Sequence, residues 1–161
     1  MNLDPQIRRQ VLRLFHHNVA IVVAGKGNSL IGATVTWFMQ TSFEPPLVTL
    51  AIKADSRLHA ALDSGSRLVI NLVPSGQEAL ASHFFKPRFR EGDLLGEKEM
   101  VPLSDGGARL VECPAWLVVR VRRIVGEGDH HLFLTEVVDA GVRDDSATLM
   151  NLTETPWKYG G

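Results

Sequence analysis

Cysteine is almost absent: Cys113 is the single thiol of the chain. A lone cysteine excludes an intrachain disulfide and any multi-thiolate metal cage, and this usage fits a reducing cytoplasm. An excess of charge of either sign is missing too. The 17 Lys and Arg stand against 18 Asp and Glu, so no overall basic balance argues for nucleic acid and no acidic tail is present. Apolar residues never run together for the length of a bilayer-spanning helix, so no membrane span is expected. The first residues carry Arg8, Arg9 and Arg13 but no apolar stretch of signal-peptide length. There is no P-loop, no G-x-G-x-x-G and no H-E-x-x-H, and no G-x-S-x-G elbow announces a serine nucleophile. The pairs His16-His17 and His130-His131 are poor chelators, because adjacent side chains point apart on a strand and do not converge on a helix. No metal site is expected. Internal repeats and low-complexity tracts are also lacking, and 161 residues suit one domain over residues 1–161.

What is present is a succession of short β-type runs. Asp4-Pro5 is a helix start, an N-cap acid before a proline at the first helical position. Ile7, Val11, Leu12, Leu14 and Phe15 then recur at helical spacing, which predicts a helix over about 5–17. Val19 to Ala24 reads as a strand, Gly25 to Ser29 as a hairpin turn, and Leu30 to Phe38 as the returning strand. Leu47 to Ile52 is a further buried strand. A short helix over 58–62, capped by Asp55 or Ser56, leads to a strand over 67–73. A helix from Gln77 to Phe85 follows, with Ser75 and Glu78 spaced as a capping pair. Residues 91–113 read as loop. Ala115 to Val125 is a long strand with Arg120 and Arg122 on one face and Val119, Val121 and Arg123 on the other. A turn to His130 and a strand over 131–140 complete its hairpin. The tail over about 146–161 holds Trp157 and Tyr159, and large aromatics on a tail are expected to dock. Short strands in hairpin order with few helices indicate a mainly β, antiparallel barrel.

The stretch from Gly32 to Val48 is unusual. Thr34, Val35, Thr36 and Trp37 alternate hydroxyl and apolar groups, and Phe38 and Phe43 follow closely. A buried strand rarely carries so many hydroxyls, each needing a partner, and a solvated loop rarely carries so many aromatics. Together they suit a surface that holds a flat, partly polar ligand. Ser56-Arg57 at a helix start is either a phosphate cradle or an ordinary cap. Asn71 on an apolar strand needs a partner, and its plain reading is a structural hydrogen bond to a neighbouring turn. Phe84 to Arg90 mixes aromatics and cations as a lid or interface does, and Cys113 before Pro114 reads as a small buried hydrophobe.

Taken in order, these pieces resemble the signature of the flavin reductase-like family, the FMN-binding split barrels. Its G-x-T/S-x-S/N-S-F stretch stands here as Gly32-Ala33-Thr34-Val35-Thr36-Trp37-Phe38, and its x-P-P-L-V as Glu44-Pro45-Pro46-Leu47-Val48. Ser56-Arg57, Val69-Ile70-Asn71 and Gly128-Asp129-His130 match further motifs, so the likeness covers roughly residues 8 to 140. It implies a homodimeric antiparallel split β-barrel that binds FMN, with FAD possible, and reduces it with NADH or NADPH. Electrons then pass to oxygen, a partner monooxygenase or another acceptor. By the same resemblance Thr34, Val35, Thr36 and Trp37 line the isoalloxazine, and Gln40 and Thr41 lie near the ribityl and phosphate. Lys53, Ser56 and Arg57 hold the phosphate, Asn71 belongs to the binding strand, Phe85 covers the flavin, and His130 is the catalytic residue beside the nicotinamide. Hydride transfer needs two stacked rings held in order, not an acid–base triad. Trp37 departs from the family's usual small Ser or Asn. The alternative within the same resemblance is a non-catalytic FMN electron carrier of the flavoredoxin type.

Overall fold

The computed structural model describes residues 3–160; positions 1, 2 and 161, the outermost residues of the expected domain and tail, lie outside them. Its strands are β1 (Ala20–Ala24), β2 (Ile31–Val35), β3 (Phe38–Ser42), β4 (Leu47–Lys53), β5 (Arg67–Leu72), β6 (Arg88–Glu91), β7 (Leu94–Leu95), β8 (Lys98–Pro102), β9 (Ala108–Leu110), β10 (Ala115–Val125) and β11 (His130–Val142). The helices are short: α1 (Pro5–Leu12), α2 (Arg57–Ala60) and α3 (Glu78–His83). All strands join one antiparallel sheet in the order β3-β4-β11-β10-β5-β1-β2-β6-β7-β8-β9. The chain is mainly β, as the sequence implied.

β1 is apolar throughout because it feeds two cores. Side chains alternate across a strand, and Ala20, Val22 and Ala24 pack into one cluster while Ile21 and Val23 pack into the other. The first cluster lies inside the curled sheet with Leu50, Ile70, Val119 and Phe133. The second lies on the outer face, beneath Phe84, Leu95, Leu110 and Met150. Val22 pairs with Ala33 of β2 and Ile70 of β5, which fixes the register of the middle of the sheet. Gly32 is required by a close approach: a Cβ there would stand 2.9 Å from Leu95 Cδ2 and 3.0 Å from Phe84 Cε1.

Several boundaries differ from the sequence expectation. α1 stops at Leu12 with Arg13 as its C-cap, and none of its residues is buried; the helical spacing of Leu14 and Phe15 does not extend it. The strand expected over 30–38 ends at Val35 and re-forms as β3, which pairs with β4. α3 begins at Glu78 without a side-chain cap, and Ser75 instead donates its backbone N–H to Thr148 O. Residues 91–113 are not a loop, since they contain β7, β8 and β9. These strands are too short for a periodic pattern to show. On β10 the simple alternation fails at Arg122: Val121 pairs with Thr135 and Arg123 with Leu134, leaving Arg122 as an extra residue. A bulge of this kind turns Arg122 and Arg123 both outward.

Candidate functional site

The break at Val35 creates the site. β2 hydrogen-bonds to β1 and β6, whereas β4 bonds to β3 and β11, so the curled sheet has a seam between β2 and β4. Thr36 and Trp37 cross that seam, and Trp37 O accepts a hydrogen bond from Ala51 N of β4 at 2.9 Å. A cavity of about 460 Å³ opens there, with walls that include Ala33 to Trp37, Ala51 to Lys53, Ser56 and Leu58. Phe85, Pro87, His130 and the tail residues Trp157 to Tyr159 close its other side. The volume lies within the range of roughly 300–1,000 Å³ that houses small-molecule and cofactor ligands.

The expected residues divide clearly. Thr34, Val35, Thr36, Trp37, Lys53, Ser56, Phe85 and His130 all line the cavity. Thr34 does so with its hydroxyl engaged, donating to Ala81 O at 2.7 Å, while its N–H bonds to Phe84 O; this clamps α3 to β2. Thr36 is different. Its Oγ1 is buried and has no hydrogen-bond partner among the described residues. An unmade bond at a buried hydroxyl is costly, and a polar ligand edge would complete it. Ser56 accepts from His59 N at 3.1 Å as the cap of α2, which leaves its own hydroxyl proton available. Lys53 lies at the mouth, 3.0 Å from Asp55, and the hydrogen bond to Asp55 raises the Lys53 pKa. Arg57 is not in the wall: its guanidinium sits 5.4 Å from the Phe89 ring, exposed beside the cavity.

Three expected ligand residues lie elsewhere. Gln40 and Thr41 are exposed on β3, outside the cavity wall. Asn71 is fully buried in the core, where Nδ2 donates to Ile21 O and Ala108 O and Oδ1 accepts from Leu110 N. Both Nδ2 protons and one lone pair of Oδ1 are used in holding β9 against β1, in keeping with a structural hydrogen bond to a neighbouring segment.

His130 and His131 point apart, as neighbours on a strand must. His131 Nδ1 lies 2.8 Å from His59 Nε2. His130 faces the cavity, with Nδ1 3.0 Å from Asp129 Oδ1 and Nε2 2.7 Å from the Tyr159 hydroxyl. A carboxylate only accepts, so Nδ1 carries the proton and, in the neutral ring, Nε2 accepts from the phenol. The hydrogen bond from His130 lowers the Asp129 pKa. Burial, then the charge of Asp129, raises that of Tyr159, so the phenol keeps its proton at neutral pH.

The tail forms part of the cavity wall. Its docking was expected from its aromatics, but its target was not readable. Trp157 packs edge-on to Phe85 at 4.7 Å, and Tyr159 lies 5.3 Å from Trp37. Arg13 Nε donates to Gly160 O at 3.1 Å and pins the end. Gly160, at φ +89°, lies so close to Trp37 that a Cβ would stand 2.9 Å from Cζ2. The wall is thus aromatic with a few hydroxyls, with cations and no thiol; Cys113 is buried in the outer core.

This seam in an open antiparallel sheet, walled by tilted and edge-on rings and one orphan hydroxyl, is the candidate site. Residues 12–155 match the family described as "Flavin reductase like domain". The chain belongs to the flavin reductase-like family of oxidoreductases. It is 31% identical over 149 residues to an NADH-dependent FAD reductase of Streptomyces globisporus, covering 86% of this chain and 78% of that protein. It is 32% identical over 135 residues to the reductase component of 4-hydroxyphenylacetate 3-monooxygenase from Thermus thermophilus, covering 83% of each. Among solved structures, the NADH:FAD oxidoreductase of Streptomyces globisporus superposes with a TM-score of 0.77 at 25% identity, over 94% of this chain and 91% of that one. The same enzyme has also been solved in complex with NAD and FAD fragments. No helix among the described residues is long and apolar enough to cross a membrane.

Proposed function

We propose that this protein is an NAD(P)H-dependent flavin reductase that binds FMN or FAD in the seam between β2 and β4. The observation that carries the reading is the buried, partnerless hydroxyl of Thr36 in an otherwise aromatic wall. It asks for a ligand that is flat and has a polar edge, and the names of the relatives supply the class. When bound, the flavin supplies a two-electron acceptor for the hydride of NAD(P)H.

The chain's own residues orient, cover and shield. Val35, Thr36 and Trp37 support the ring, and Phe85 with Trp157 shuts out water on the opposite side. Lys53 and Ser56, with Arg57 beside them, meet the phosphate. His130 stands where the ring of the donor has to arrive, held in one tautomer by Asp129. Gln40, Thr41 and Asn71 have no part in the site of their own chain.

The reduced flavin then serves oxygen or a partner oxygenase, as the naming of the Thermus relative as a monooxygenase reductase component supports. A homodimer in the cytoplasm completes the reading. α1 has no buried residue, and Ile7 and Val11 on it, like Leu14 and Phe15 just beyond its end, are all more than half exposed. An isolated helix of this length is not stable in water, so its apolar face fits a subunit interface.

The test is an absorption titration with FMN and with FAD, followed by NADH and then NADPH without oxygen. Bound flavin that bleaches supports the reductase and identifies its donor. Bound flavin that stays yellow with both donors overturns it in favour of an electron carrier. Absence of binding and of turnover with either flavin overturns the flavin reading altogether.

A further inference from the structure

From Phe84 to Arg90 aromatics and cations are mixed, and of that stretch Phe85 and Pro87 line the flavin cavity. Two of its cations are spent locally. On β6, Arg88 Nε donates to His83 O at 2.8 Å, and Arg90 Nε donates to Gly92 O at 2.6 Å. Successive side chains of a strand point to opposite faces, so Phe89 lies on the other face, with Ile31, its partner on β2. Phe89 is 42% exposed, and the Arg57 guanidinium lies over its ring, 5.4 Å from the centroid.

That contact crosses the seam. Arg57 begins α2, which follows β4, whereas Phe89 belongs to β6, which is bonded to β2. Both stand at the rim of the cavity. Ser56 and Leu58, on either side of Arg57, line it, and so does Pro87, two residues before Phe89. Leu58 is buried in the inner core and anchors α2 there. Arg57 is therefore held at its backbone by the helix and at its guanidinium by the ring.

The charge of Arg57 is uncompensated. Lys53, on the same side of the seam, is neutralised by Asp55 at 3.0 Å, but Arg57 pairs with no carboxylate among the described residues. A guanidinium that stacks by its face keeps its edge N–H donors free, and that edge matches a phosphate in bidentate geometry. An unsupported surface arginine loses side-chain freedom when it takes an anion. A ring that already holds it lowers that cost.

We propose that Phe89 is a positioning residue for the flavin phosphate: its ring presents Arg57 at the rim of the cavity, and the pair selects phosphorylated flavin over riboflavin. This rests on the reading of the seam as the flavin site, with the phosphate toward Lys53 and Ser56. Phe89 touches no ligand and acts through Arg57.

FMN and riboflavin differ only in the phosphate, and both are titrated by fluorescence on the wild type, Phe89→Leu, Phe89→Tyr, Arg57→Ala and the double variant Arg57→Ala with Phe89→Leu. The wild type binds FMN more tightly than riboflavin. Phe89→Leu keeps apolar bulk without the ring; it weakens FMN about threefold, the size of an exposed cation–π contact, and leaves riboflavin unchanged. Phe89→Tyr retains the ring face and binds both flavins as the wild type does. Arg57→Ala weakens FMN about tenfold, and in that background Phe89→Leu has no further effect, as two residues acting through one contact require. Equal affinity of the wild type for FMN and riboflavin overturns the proposal. So does a Phe89→Leu variant that weakens both flavins alike, weakens neither, or acts equally with and without Arg57. A wild type that binds neither flavin overturns the flavin reading and this proposal with it; normal wild-type binding with an inert Phe89 overturns this proposal alone.

Discussion

Removing the hydroxyl of Thr36 should act with opposite signs on the empty and the loaded protein. In the flavin-free chain Oγ1 is buried and unpaired, and an unsatisfied buried polar group costs about 1–3 kcal/mol. Thr36→Val keeps the β-branched shape and deletes the orphan, so the flavin-free protein gains about 1 kcal/mol. For a chain of this size that gain corresponds to about 2–4 °C in Tm. The bound flavin, by contrast, loses one neutral hydrogen bond, worth about 1 kcal/mol or roughly a fivefold rise in Kd. The assay pairs thermal denaturation of flavin-free protein with a fluorescence titration of FMN on the same two samples. A variant that melts lower without flavin, or one that binds FMN as tightly as the wild type, refutes the assignment of Thr36 to the ligand.

Other consequences follow from the same structure. Asn71→Ala removes the side-chain hydrogen bonds to Ile21 O, Ala108 O and Leu110 N–H in a fully buried place, and should lower stability by about 3 kcal/mol in urea unfolding, with flavin affinity preserved in the folded fraction. Burial pushes the Cys113 thiol up to about 12, so iodoacetamide at pH 8 should leave it unmodified in the folded protein and alkylate it in denaturant. His59 has its pKa lowered by burial and then by His131. The unfolded chain therefore binds more protons just below the ordinary histidine value, and stability is full above about 6.5 and declines as pH falls below it. Tm measured from pH 7.5 to 5 should decline less steeply in His59→Gln than in the wild type.

Sequence legibility followed periodicity. β1, β5 and β10 were readable because long β-branched runs have no competing helical spacing, and the hairpin of β10 with β11 was marked by its glycines. β7, β8 and β9 were not, because each turn consumes as many residues as the strand it joins. α1 was overextended since Leu14 and Phe15 keep the helical interval after Arg13 has ended the helix. In the site, the strip from Thr34 to Trp37 was legible from its unusual mixture of hydroxyls and rings. For Asn71 the motif carries identity but not direction; its side chain faces β9, whose strand the sequence did not disclose. The tail announced itself by Trp157 and Tyr159, yet its partners Phe85, Trp37 and His130 lie far away in sequence, and only the curl of the sheet brings them together.

The most direct measurement is a crystal structure of the protein soaked with FMN. The account predicts the isoalloxazine in the seam between β2 and β4, with a polar ring atom on Thr36 Oγ1, Trp37 and His130 beside it, and the phosphate toward Lys53 and Ser56. Flavin density on any other face, with the seam still closed by Tyr159 against His130, would contradict it.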